Sequence, residues 1–162
     1  MSKKFILEQV DIFQELSPSQ LALIEEICSE KSCTKGDIIF KENLTSNEFY
    51  IIAVGEVDIQ VDPDTIGDGS DAYQPTTIAI LRRGQAFGEV AMVDPGVRSA
   101  SARCRSETCK LLIIERKDFM KLLEGNYEMG FITMRNLAAD LALKIRQTNL
   151  MVRESLMYSP KK

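Results

Sequence analysis

The segment from Gly84 to Cys104 carries the residues whose types and spacing best suit ligand chemistry. It reads GQAFGEVAMVDPGVRSASARC, with the carboxylate of Glu89 and the guanidinium of Arg98 set among small residues. A guanidinium binds oxyanions, and a carboxylate accepts hydrogen bonds from hydroxyl groups. The pair therefore suits a ligand that offers both an anion and a sugar hydroxyl.

Arg98 is predicted to point inward. If residues 98–104 form a strand, Arg98 shares a face with the small residues Ala100, Ala102 and Cys104. An inward Arg needs an anionic partner, because removing its charge from water without one is costly. That partner is either Glu89, in an internal salt bridge, or the anion of a ligand, and the spacing leaves both open.

The run Phe87-Gly88-Glu89-Val90-Ala91 favours a ligand. Gly88 lets the backbone turn tightly, and the residues after it can form a short helical turn whose N–H groups point at an anion. Small side chains nearby leave volume for the ligand. Backbone amides and one Arg together predict a phosphate-binding site.

Composition excludes several classes of function. The chain has 162 residues, 44% of them hydrophobic, and a net charge of −4, which predicts one globular domain with no overall attraction to nucleic acid. The chain contains no His, which removes Ser-His-Asp and Cys-His catalysis and the HExxH zinc proteases. No Walker motif is present either, so we expect a protein that is not an enzyme.

Neither a membrane span nor a signal peptide is predicted. No stretch approaches the roughly 20 apolar residues that a spanning helix needs, and Glu8 and Asp11 interrupt the N-terminal segment where a signal peptide would be apolar. We therefore expect a cytoplasmic protein without a membrane partner.

Four cysteines form two C-x4-C pairs: Cys28, Cys33, Cys104 and Cys109. This spacing matches neither a zinc ribbon nor a redox C-x-x-C motif. We expect buried free thiols and no metal site.

The surrounding elements predict a mainly β fold with flanking helices. Ser17-Pro18-Ser19-Gln20 is a capping box that predicts a helix to about residue 31, after a shorter helix over residues 4–13. After Gly36 the apolar period changes to two, and short strands follow at close spacing at about 38–40, 49–52, 57–61, 78–80, 98–105 and 110–115. An antiparallel jelly-roll barrel fits this pattern best.

Two helices are predicted after the barrel, the first ending at Gly125 and the second running from 127 to about 157. A seam of residues spaced four and three apart follows the long helix: Met134, Ala138, Leu141, Ile145, Thr148 and Val152. We expect one face to dock on the barrel and the seam to pair with a second copy of the chain.

Residues 62–75 form a polar stretch predicted to be a surface loop. Its GDGSDA loosely matches a dinucleotide fingerprint, but an acidic loop that opens no helix would repel a pyrophosphate. The loop also begins like an EF-hand, but Ile66 and Tyr73 stand where calcium ligands are needed. Neither ligand is expected there.

The chain resembles the cyclic-nucleotide-binding domain family. This domain occurs in the catabolite activator protein, in regulatory subunits of cyclic-nucleotide-dependent kinases and in cyclic-nucleotide-gated channels. The similarity runs from about residue 10 to 149 and includes IFQELSPSQLALI, KGDIIFKEN, YIIAVGEVDI and a phosphate-binding cassette, FGEVAM…VRSASA, within about 84–102. It implies a single domain, 1–162, with N-terminal helices over 1–35, a barrel over 36–115 and C-terminal helices over 116–157.

The resemblance also implies ligand contacts. Glu89 would accept the ribose 2′-hydroxyl and Arg98 would pair with the cyclic phosphate. Ser99 stands where family members often carry a hydroxyl, although strict strand alternation would turn it away from Arg98. The implied ligand-binding set is Phe87, Gly88, Glu89, Val90, Ala91, Arg98, Ser99 and Ala100.

In this family the long helix covers the base, which implies a lid from about residue 141 to 148. Its polar candidates are Lys144, Arg146, Gln147 and Thr148, of which a helix can aim only one or two at the base. These residues do not distinguish adenine from guanine.

The sequence thus predicts a cyclic-nucleotide sensor, with cAMP favoured over cGMP, that signals through its C-terminal helix to an unidentified protein effector. No helix-turn-helix follows the long helix, so we expect a stand-alone domain without a DNA partner. The alternative is a nucleotide-independent dimerisation or docking module in which Glu89 and Arg98 pair with each other.

Overall fold

The computed structural model describes residues 2–62, 75–94 and 96–158, so the motif matches within residues 63–74 lie outside it. Helices at both ends flank two four-stranded antiparallel sheets. This architecture confirms the predicted mainly β jelly roll with a long C-terminal helix.

The N-terminal helices begin as predicted but are shorter. Helix α1 spans Lys3–Leu7, a 3-10 turn spans Asp11–Phe13, and α2 spans Pro18–Ile27. The capping box of α2 is confirmed: Ser17 N–H donates to Gln20 Oε1 at 2.8 Å, and Gln20 N–H donates to Ser17 Oγ at 3.3 Å. The predicted single helix over 4–13 is wrong, because the backbone at Val10 is extended and breaks it.

Strand β1, Cys28–Thr34, corrects two predictions. The helix predicted to about residue 31 ends at Ile27, and the N-terminal helices do not extend to the predicted boundary at residue 35. All seven residues of β1 pair antiparallel with the last strand. Only its two cysteines are buried, so the strand lacks the alternation that would have revealed it. Pairing with a distant strand outweighs the local helical pattern.

The remaining strands follow in order: β2 Ile38–Phe40, β3 Glu48–Val54, β4 Glu56–Val61, β5 Thr76–Arg82, β6 Ala86–Phe87, β7 Ser101–Cys104 and β8 Thr108–Glu115. One sheet has the order β1-β8-β3-β6 and the other β2-β7-β4-β5. Strands β3 and β4 are joined at Gly55, whose φ of 89° requires glycine. A Cβ there would also lie only 2.6 Å from the Thr108 carbonyl oxygen.

Strand β7 is shorter than the predicted 98–105. Before it begins, Arg98 is fixed by its own backbone: its N–H donates to the Leu44 carbonyl at 2.8 Å, and its carbonyl accepts from Asn43 N–H at 2.9 Å. Arg98 is nevertheless buried, like Ala102 and Cys104 further along. The predicted inward direction of Arg98 is therefore confirmed, although its backbone is held by an isolated β-bridge outside strand β7.

Helix α3, Arg116–Glu124, ends at Gly125 as predicted, and α4 spans Tyr127–Tyr158. Two buried clusters form the core. One lies between the sheets and contains Tyr50, Phe87 and Cys104, and the other joins the N-terminal helices to β3, β8 and the helices α3 and α4.

The predicted dimer seam on α4 is partly wrong. Met134 and Leu141 pack against this chain's own core beside the buried Leu137, whereas Ile145 and Val152 are exposed. The same four-and-three spacing describes a helix docked on its own domain, so the pattern does not distinguish the two surfaces. Within the described ranges, no helix is both long and apolar enough to cross a bilayer.

Candidate ligand-binding site

Gly88 lies between β6 and the 3-10 turn Glu89–Met92, where it is the N-cap of the turn. Its φ of 73° lies in the left-handed region, which costs glycine little. A Cβ at this position would overlap Arg98 Nη1. The predicted short helical turn is thus present, and its glycine is what lets the guanidinium approach the backbone.

The Arg98 guanidinium is buried beneath this turn and is held by two backbone carbonyls. Nη1 donates to the Gly88 oxygen at 3.1 Å, and Nη2 donates to the Glu48 oxygen at 2.7 Å. Nη2 also lies 3.7 Å from Glu48 Oε1. Burial lowers the pKa of Arg98, while Tyr50, Glu48 and Glu89 oppose this shift. Arginine still remains charged, so the turn holds a fixed positive group.

Three aromatic rings form a platform against Arg98: Phe40, Tyr50 and Phe87. The Tyr50 and Phe87 rings are stacked with centroids 5.2 Å apart, and the Arg98 Cζ lies 4.0 Å from the Phe40 centroid. Tyr50 Oη donates to Glu48 Oε1 at 2.7 Å. Burial raises the pKa of Tyr50, and the hydrogen bond to Glu48 raises it further, so the phenol stays protonated. The platform restricts the position of the guanidinium from below.

Glu89 is buried, but its partner is not Arg98. Its Oε1 lies 2.8 Å from Lys144 Nζ on α4, and the same Nζ lies 2.8 Å from Asp140 Oδ2. Burial alone would lower the pKa of Lys144, but the attraction of Glu89 and Asp140 outweighs it, and the pKa is raised. Lys144 is therefore protonated at neutral pH, and helix α4 contacts the carboxylate expected to bind ribose.

Of the four polar lid residues, only Lys144 reaches the turn. Arg146, Gln147 and Thr148 are exposed, and the Thr148 hydroxyl donates to the Lys144 carbonyl at 2.9 Å. A cavity of about 40 Å³ adjoins Asp140 and Lys144, bounded by residues 10–12, Leu81 and residues 84–86. Ligand pockets commonly enclose about 300–1,000 Å³, so this cavity is too small for a nucleotide, and neither Glu89 nor Arg98 lines it.

The other predicted ligand-binding residues differ in how exposed they are. Phe87 and Ala91 are buried, Ala100 is partly buried, and Val90 and Ser99 are exposed. Ala91 N–H, a predicted anion donor, instead donates to the Gly88 carbonyl at 3.3 Å. Their contacts with a ligand stay predictions.

Four residues around Arg98 and Glu89 were not predicted from the sequence: Phe40, Glu48, Tyr50 and Asp140. Asp140 could have been found, because it stands four residues before Lys144 on the same helix. The other three come from β2 and β3, and only the pairing of distant strands brings them to Arg98. No local sequence pattern indicates that these three residues lie next to Arg98.

A family model described as "Cyclic nucleotide-binding domain" matches residues 30–126. The match includes the whole turn, Arg98 and the aromatic platform, but ends before Lys144.

Three known proteins illustrate the similarity. The cyclic AMP receptor protein of Thermus thermophilus is 30% identical over 139 residues, which are 86% of this chain and 59% of that protein. A cGMP-dependent protein kinase of Drosophila melanogaster (isozyme 2, forms cD5/T2) is 28% identical over 120 residues, 74% of this chain but 12% of the kinase. The crystal structure of the Thermus thermophilus catabolite activator protein superposes with a TM-score of 0.72 at 27% identity, covering 88% of this chain and 62% of that one. This chain therefore spans only part of the length of each.

Proposed function

Because the chain belongs to the cyclic nucleotide-binding domain family, we propose that it is a sensor that binds a cyclic mononucleotide, with cAMP the first candidate and cGMP the second. The observation that best supports this is the buried Arg98, which two carbonyls hold beside the Gly88 turn. Similar proteins are named for both nucleotides, and the match to the cAMP receptor protein covers more of this chain, 86% against 74% for the Drosophila kinase, which favours cAMP.

Arg98 would pair with the cyclic phosphate. Its neighbours are backbone carbonyls, aromatic rings and one carboxylate at 3.7 Å, so its charge is only partly neutralised. A guanidinium has more N–H donors than the two carbonyls use, and it binds phosphate oxygens in a fixed geometry. The same contacts that hold Arg98 would therefore orient it for the anion.

Glu89 would accept the ribose hydroxyl at a carboxylate whose Oε1 already accepts a hydrogen bond from Lys144, and we propose that the ribose displaces this lysine. Ligand binding thus exchanges a contact with α4 for a contact with ribose. A ligand shifts such an equilibrium only by its difference in affinity for the two states. This exchange is how we propose that binding repositions the helix.

The second half of α4 supports a homodimer. Its exposed apolar side chains are Ile145, Leu150, Met151, Val152, Leu156 and Met157. An apolar surface of this kind on a helix suits a partner helix. We place the protein in the cytoplasm, with a binding role rather than a catalytic one, an unidentified protein effector, and neither DNA nor a membrane as partner.

Calorimetric titration with cAMP tests the role of Arg98. We expect Arg98→Gln to weaken binding about 10- to 100-fold, since a hydrogen bond to a charged group contributes about 1.5–3 kcal/mol. Arg103→Gln is the matched control, because Arg103 is an exposed Arg on the following strand. A thermal melt of each variant checks folding, and Arg98→Lys serves if the Gln variant does not fold. Binding of cAMP by a folded Arg98 variant as tightly as by the original chain would refute the assignment.

One observation favours the nucleotide-independent docking module: Glu89 already has a partner. The pairing differs from the predicted one, however, because Lys144 rather than Arg98 binds the Glu89 carboxylate. The module would bind no cyclic nucleotide and would dimerise equally with and without one. The titration of the original chain separates the two functions directly.

A further inference from the structure

Three of the four cysteines meet inside the barrel. Cys33 on β1 and Cys109 on β8 stand directly opposite each other, and Cys104 approaches from β7 in the other sheet. Their sulfur atoms all lie within 4.8 Å of one another, and all three residues are buried. The sequence predicts buried free thiols and no metal site, because nothing in the two C-x4-C pairs shows which strands bring the thiols together.

This spacing suits a metal ion between the three sulfur atoms. A metal–thiolate bond is about 2.3 Å long, which puts the sulfurs of a planar three-thiolate site about 4 Å apart. The observed cluster needs shifts of no more than fractions of an ångström to reach that geometry.

The donor set selects the kind of metal. All three donors are sulfur, and soft thiolates favour Cu(I) and other thiophilic ions over magnesium or calcium. Structural zinc almost always takes four ligands, whereas this cluster supplies three. We propose that Cys33, Cys104 and Cys109 form a binding site for one Cu(I) ion.

The surroundings of the cluster fit this assignment. A surface groove beside the cluster would be the entry route for the ion, and it is lined by Lys35, Gly36, Asp58, Arg103, Cys104 and Arg105. Burial raises the pKa of Cys104 to about 11, so this thiol is protonated before binding. Each ligating thiol releases its proton to the solvent as its sulfur bonds to Cu(I), and no electron is transferred.

The test is an anaerobic titration of the fully reduced protein with Cu(I) against a chromophoric Cu(I) chelator. We expect the original chain to withdraw one equivalent of copper and each of Cys33→Ser, Cys104→Ser and Cys109→Ser to bind at least about tenfold more weakly. Cys28→Ser is the matched control, because Cys28 is also a buried free thiol but lies in the other core cluster. It should bind like the original chain.

Two results would overturn the proposal: failure of the original chain to compete with the chelator, or undiminished binding by the three variants. If a variant does not fold, X-ray absorption of the copper-loaded original chain decides instead. Three sulfur neighbours around copper support the site, and nitrogen, oxygen or only two sulfur neighbours refute it.

Discussion

At the residue scale, Lys144 is the partner of the Glu89 carboxylate with which a ligand would compete. One ammonium group contacts two carboxylates at 2.8 Å each, from Glu89 and from Asp140. The Lys144 side chain is 38% exposed, so water weakens the pair. A ribose hydroxyl at Glu89 would therefore compete with a contact of modest strength.

Removing this competitor should strengthen cAMP binding. A partly exposed ion pair contributes up to about 1 kcal/mol, so Lys144→Ala should bind cAMP up to about fivefold more tightly in calorimetry. Arg146→Ala, on an exposed position of the same helix, should leave the affinity unchanged. Weaker binding by Lys144→Ala would show that Lys144 contacts the nucleotide rather than competing with it.

The sequence predicted the local part of this site. Gly88, the turn after it and the inward Arg98 follow from residue types and spacing within one segment. The partner of Glu89 did not follow, because Lys144 is 55 residues away and reaches it only through the docking of α4. Local pattern indicates which residues need partners, and tertiary packing decides which partners they find.

At the scale of elements, α4 divides into two parts. Its first half packs on the core through Met129, Thr133 and Leu137, and residues 145–157 are exposed. The predicted seam combined residues of both halves, because heptad spacing does not show where a domain's own core ends. Strand β1 was missed for a related reason: only pairing with β8 makes it a strand.

The exposed half of α4 should mediate dimerisation. In sedimentation velocity at increasing concentration, we expect the original chain to shift towards a dimer, because association buries the apolar face. Val152→Glu places a charge in that face and should favour the monomer, whereas Arg153→Glu changes a neighbouring charged position as its control. A chain that remains monomeric at every concentration would contradict this prediction.

At the scale of the whole molecule, one core links the turn to the helix. Ala91 and Met92, from the 3-10 turn after Gly88, belong to the same buried cluster as Phe13, Met129 and Leu137. Under the proposed function, a shift of the turn would act on α4 through close-packed side chains as well as through Glu89 and Lys144. A ligand at Arg98 would then have two physical connections to the long helix.

The most direct test of the account is the thermal unfolding of the original chain with cAMP, cGMP and the linear nucleotide 5′-AMP. A ligand at about one hundred times its dissociation constant adds about 2.7 kcal/mol to the free energy of unfolding, which raises Tm by several degrees. We predict this increase with cAMP and a smaller one with cGMP, and little change with 5′-AMP. An unchanged Tm with every cyclic nucleotide would contradict the proposal that this protein is a cyclic-nucleotide sensor.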